Sequence, residues 1–137
     1  MNPKSEMQMT ETGAGKRYDL EERTFEFARD VRAFVKTLPR TIANVEDVRQ
    51  LARASGSVGA NYIEANEALG QKDFLMHIRI SRKEAKESRY FLRLVDTRQQ
   101  VAVETGRAAL IQEATELMKI FGAILRRSER ANPDPPV

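Results

Sequence analysis

Between residues 18 and 130 of this 137-residue chain, apolar side chains recur every three or four positions. No stretch alternates apolar and polar residues as a half-buried strand would. The rhythm predicts four helices. The first covers residues 19–38, with Leu20, Phe27, Val31, Phe34 and Leu38 on one face and Pro39 as its stop. The second covers 45–69. Asn44, followed three residues on by Asp47, has the form of its N-cap, and Leu51, Ser55, Val58, Tyr62, Ala65 and Leu69 form its seam. The third covers 72–98, on Phe74, Ile78, Ser81, Ala85, Ser88, Leu92 and Val95. The fourth covers 105–129, on Leu110, Ala114, Leu117, Phe121 and Ile124, with Ile111, Met118 and Leu125 beside them. Seams of this spacing pack helices at a shallow angle, and short linkers make sequential helices antiparallel neighbours. The predicted fold is therefore all-α, an up-and-down antiparallel four-helix bundle over residues 18–130. Residues 1–17 lack the rhythm and are expected to form a flexible N-terminal arm. Residues 131–137 hold three prolines and are expected to form a disordered tail.

Composition narrows the chemistry. The chain has no cysteine and one histidine. That excludes a disulfide framework, a thiolate metal site, a cysteine nucleophile and a multi-histidine metal centre built by one chain. No run of about 18 apolar residues suggests a membrane span, and the N-terminus does not read as a signal peptide, so the expected location is the cytoplasm. The net charge of +3 permits an acidic partner without demanding one.

The second helix holds Gly56 and Gly59 in its middle. Each costs about 1 kcal/mol against alanine, which close helix packing or a ligand pocket would have to offset. Close packing is the reading taken here. On the third helix, Met76, Ile80, Phe91 and Leu94 widen the apolar arc to roughly 200°, about twice what a helix of a monomeric bundle needs. Something must cover the surplus, and a homo-oligomer is expected.

Glu84 falls inside that arc, with Glu87 one turn on and Glu64 and Glu67 on the second helix. Bundle di-metal sites use Glu-x-x-His pairs, and neither acidic pair here has the histidine; His77 is too far along the helix to serve both. No metal, no cofactor and no enzymatic activity are expected. Asn61, Glu64, Ser81, Glu84 and Ser88 are read as a buried or interfacial polar network, because a buried charge must be paired.

The same helix carries Arg79, Arg82, Lys86, Arg89 and Arg93 at intervals of three and four, one cationic stripe within an arc of about 80°. Residues 72–98 hold eight basic and four acidic side chains, a surplus greater than that of the whole chain. Two readings stand: a phosphate-tracking nucleic-acid contact, or a solvated flank that pairs with Glu21, Glu22, Glu26 and Asp30 of the first helix.

The stretch from Arg53 to Ala68 (RASGSVGANYIEANEA), with Lys72-Asp73-Phe74 and Lys83 to Ser88, resembles the four-helix bundle proteins related to the 23S ribosomal RNA intervening-sequence protein. Leu110 to Phe121 is similar with less specificity. Gly70 departs from the pattern, since many relatives carry serine there as a helix cap. The resemblance implies an up-and-down bundle assembling as a ring-like homopentamer. It also implies a distant relation to the basic accessory protein of diversity-generating retroelements, which works with nucleic acid. The expected function is a non-enzymatic, homo-oligomeric binding or scaffold protein acting on RNA or a nucleoprotein. The alternative is a protein–protein interaction module with no nucleic-acid role.

Overall fold

The computed structural model describes residues 11, 12, 14, 15 and 19–131. The expected arm and tail fall almost wholly outside the described residues. Glu11–Thr12 and Ala14–Gly15 form a two-residue antiparallel pairing, and everything else of regular structure is helical. The helices are α1 (Leu20–Val35), α2 (Ile42–Asn66), α3 (Gln71–Leu94) and α4 (Val101–Ala131). Each packs against the next, and α4 returns to pack against α1, which closes an up-and-down four-helix bundle with α1 diagonal to α3.

Helix ends follow local chemistry, and there the expectations need correcting. Asp19 caps α1, its carboxylate accepting from the Glu21 N–H. The helix stops at Val35, and a tight turn carries the chain to buried Leu38. The N-cap of α2 is Thr41, whose hydroxyl accepts from the Asn44 N–H at 3.1 Å, so Asn44 is already helical. The Asn44 side chain is buried instead and bridges two loops. Its amide donates to the carbonyls of Pro39 and Asp96, and its oxygen accepts from the Asp96 N–H, each at 2.9 Å. Leu69 lies beyond the end of α2 and is fully exposed, not part of the seam. Gly70 is the N-cap of α3 and makes no side-chain bond there.

The pattern carries the third helix to residue 98, but α3 ends at Leu94 because the chain turns. Arg98 and Gln99 take left-handed φ values of 55° and 59°, which no right-handed helix accommodates. Arg107 of α4 caps the end of α3 from outside, its guanidinium donating to the carbonyls of Leu92, Arg93 and Val95. Hydrogen bonds to Thr97 and to Arg107 hold the Glu104 carboxyl below its usual pKa.

The core is the seam read from the sequence. Phe27, Val31 and Phe34 meet Leu51, Val58, Tyr62, Ile78, Ala85, Leu92, Leu117 and Phe121. Tyr62 and Phe121 pack across the bundle with ring centres 6.1 Å apart. Gly59 lets α2 approach α1: a Cβ there would stand 2.8 Å from Thr24 Oγ1. Close packing is thus what this glycine serves.

Candidate functional site

The cationic stripe runs along one side of α3 because Ile78, Ala85 and Leu92 fix the neighbouring arc against the core. Along that side runs a groove of about 600 Å³ between α3 and α4. Arg79, Arg82, Lys83, Lys86 and Arg89 line it from α3, and Thr115, Met118, Lys119, Gly122 and Arg126 from α4. Seven lining side chains are cationic and none is acidic. Arg89 is held at one end, donating to Thr115 Oγ1 at 3.2 Å, while Thr115 donates to the Ile111 carbonyl. At the other end Arg79 stands 3.7 Å from Glu129, with both side chains more than half exposed. Such a pair is worth about 0–1 kcal/mol. Arg93 is exposed but does not line the groove.

Lys83, Lys119 and Arg126 complete the site and are not in the stripe read from the sequence. The signal for two of them lies in the fourth helix, where Lys119, Gly122 and Arg126 follow intervals of three and four on one flank.

The expected partners of the stripe do not reach it. Helix α1 lies diagonally across the bundle from α3, so Glu21, Glu22, Glu26 and Asp30 face elsewhere. Among the described residues no ion pair joins them to the stripe; Asp30 instead approaches Arg29. What ties α1 laterally is Arg23, which holds Glu113 of α4 in a two-pronged bond of 2.7 and 2.9 Å.

The five residues of the expected polar network do not join their side chains into one network. Ser81 donates to the Val58 carbonyl and Ser88 to the main-chain carbonyl of Glu84, each at 2.8 Å. Asn61 donates to the Ser57 carbonyl and meets His77 Nδ1 at 3.0 Å. Glu64 is exposed. Glu84 is 6% exposed, and its buried Oε1 has no hydrogen-bond donor. Arg53 approaches that oxygen only to 3.8 Å, while bonding Glu87 at 3.1 Å. Burial raises the pKa of the Glu84 carboxyl, and neighbouring Glu87 raises it further, against the opposing charges of Arg53 and Lys83. Among the described residues no three His, Cys, Asp or Glu side chains group as a metal-ligand set.

Among the described residues nothing fully covers the surplus apolar arc of α3. Met76 is 45% exposed and Leu94 49%, Tyr90 is exposed, and Ile80 and Phe91 are half-buried. On the helical wheel this face begins where the cations end, with Tyr90 and Leu94 flanking the angle of Lys83. No helix of the described residues is long and apolar enough to cross a membrane.

Comparison with known proteins agrees with this architecture. A family model described as 23S rRNA-intervening sequence protein matches residues 16–123. The fold is similar to the crystal structure of a protein of unknown function from the S23 ribosomal protein family of Bacteroides thetaiotaomicron. The TM-score is 0.69 at 27% sequence identity, over 79% of this chain and 99% of that one. No curated protein matches the chain.

Proposed function

The chain belongs to the 23S rRNA-intervening sequence protein family, and from that premise we propose a non-enzymatic binding or scaffold protein that takes RNA, free or within a nucleoprotein, on the α3–α4 groove. The observation that carries this reading is the groove lining: seven cations from two helices with no acid among them. Like charges gathered along one channel repel one another, and a polyanion relieves that repulsion while releasing its own counterions. Four of the seven are arginines, whose planar forks suit phosphate oxygens. The ribosomal name of the structural neighbour is consistent with such a ligand. The one hydroxyl in the groove, on Thr115, is already engaged with Arg89 and a carbonyl.

The working unit in this reading is a homo-oligomer, a pentamer as the resemblance implies. Exposed Met76 and Leu94 are what a neighbouring copy would cover. The exposed apolar face also fits the second reading, a protein-only module whose groove receives the acids of a neighbour.

Fluorescence anisotropy of labelled single-stranded RNA at near-physiological salt separates the two. The expected result is binding by the natural chain that Arg82→Ala with Arg89→Ala weakens similarly for unrelated sequences. Equally poor binding by both would overturn the RNA reading. Loss of assembly in the double variant, seen on a sizing column, would favour the protein-only module.

A further inference from the structure

We propose that Arg82 and Arg126 form a discrete oxyanion clamp over Gly122, which takes one phosphate group. The inference rests on the reading of the groove as a phosphate contact and assigns one definite site within it.

The geometry is specific. A Cβ built on Gly122 would lie 3.4 Å from Arg126 Nη1 and 3.9 Å from Arg82 Nη1. Two guanidinium ends from different helices therefore converge on the space above one residue that has no side chain. Arg126 reaches it because side chains on a helix lean toward the N-terminus, which places residue 126 over the turn that contains residue 122. Arg82 comes across from α3.

The two arginines also differ from others in the fold. Arg23, Arg53, Arg79, Arg89 and Arg107 each have a hydrogen-bonding or ion-pair partner. Among the described residues, neither Arg82 nor Arg126 makes a hydrogen bond or an ion pair. Two unpaired like charges aimed at one point lack a counter-charge, and no lining residue of the groove supplies one. A tetrahedral oxyanion can present separate oxygens to each fork, the arrangement in which arginine binds phosphate best. Gly122 keeps the floor open, and Lys119, one turn before it, adds positive charge to the rim. The phosphate could be an internal diester of RNA or a terminal or free phosphomonoester; the clamp chemistry is common to both.

The test is a nuclear magnetic resonance titration of the full chain with inorganic phosphate, following the Gly122 amide and the arginine Nε–H signals. Saturable shifts confined to Gly122, Arg82 and Arg126 are expected. Arg126→Ala should weaken binding about tenfold, the loss of one charge-assisted group. Arg49→Ala, which removes an exposed charge of α2 outside the groove lining, should leave it nearly unchanged. Weak shifts spread over all seven cations, or no shift because the groove is filled in the assembly, would overturn the clamp. Short oligoribonucleotides with 5′-hydroxyl or 5′-phosphate ends then identify the source: equal competition points to the backbone diester, preference for the phosphorylated end to a monoester. Phosphate binding at Gly122 without RNA binding would support the clamp and reject the RNA track. RNA binding without saturable shifts at Gly122 would keep the track and reject the clamp.

Discussion

Gly59 of α2 and Thr24 of α1 approach so closely that a Cβ on the glycine would stand 2.8 Å from the threonine Oγ1 and 3.2 Å from its Cβ. Thr24 cannot easily yield, being buried with its hydroxyl bonded to the Glu21 carbonyl. Gly59→Ala is therefore expected to force α1 and α2 apart at a cost of about 1–3 kcal/mol, as overpacking does. Gly122→Ala is the contrast. Its Cβ would meet only the flexible ends of Arg126 and Arg82, so relief of the helical glycine should stabilise the fold by up to about 1 kcal/mol. Urea unfolding of the two variants checks the opposite signs.

Asn44 and Thr41 separate a tertiary bridge from a cap. Thr41→Ala removes one N-cap bond, at a cost of about 1 kcal/mol. Asn44→Ala strands the Asp96 N–H and the carbonyls of Pro39 and Asp96, and the expected loss is about 2–4 kcal/mol. Equal losses in thermal or urea unfolding would contradict the bridge.

Glu84 makes stability depend on pH in a definite direction. Its pKa is raised in the folded chain. Its contribution is then complete below the ordinary carboxyl pKa and is lost as pH rises through the higher folded value. Glu84→Gln should exceed the natural chain in stability at pH 8 by about 1–2 kcal/mol, with the difference shrinking toward pH 4. A glutamine variant less stable at pH 8 would show that a cation meets this carboxylate in solution.

The four helices were legible because each seam keeps its three-and-four spacing around residues such as Val58, Ile78 and Leu117. The start of α2 was not, since Thr41 and Asn44 are both good caps. What decides between them is Asp96, 52 positions away from Asn44. The stripe on α3 was legible, but its other wall was not. A wheel drawn for one helix does not show that Lys119 and Arg126 stand across from Arg82, nor that α1 is diagonal to the stripe and cannot neutralise it. The wheel puts Glu84 within the apolar arc, where it is buried, but it could not show that Ser81 and Ser88 spend their hydroxyls on main-chain carbonyls.

The uncovered face of α3 sets the expected assembly. Sedimentation should give a species several times the 15.6 kDa chain mass. Leu94→Glu, which places a charge on that face, should shift it toward the monomer without unfolding the bundle. A monodisperse monomer of the natural chain at micromolar concentration would contradict the oligomer.

The salt dependence of RNA affinity reports how many phosphates the groove neutralises. If the α3–α4 groove neutralises Z phosphates, log affinity falls with log salt at a slope of about −0.7Z on single strands. For the natural chain a slope steeper than about −2 is expected, flattened by one to two units in Arg82→Ala with Arg89→Ala. A slope near zero, or one that the double substitution leaves unchanged, would contradict it.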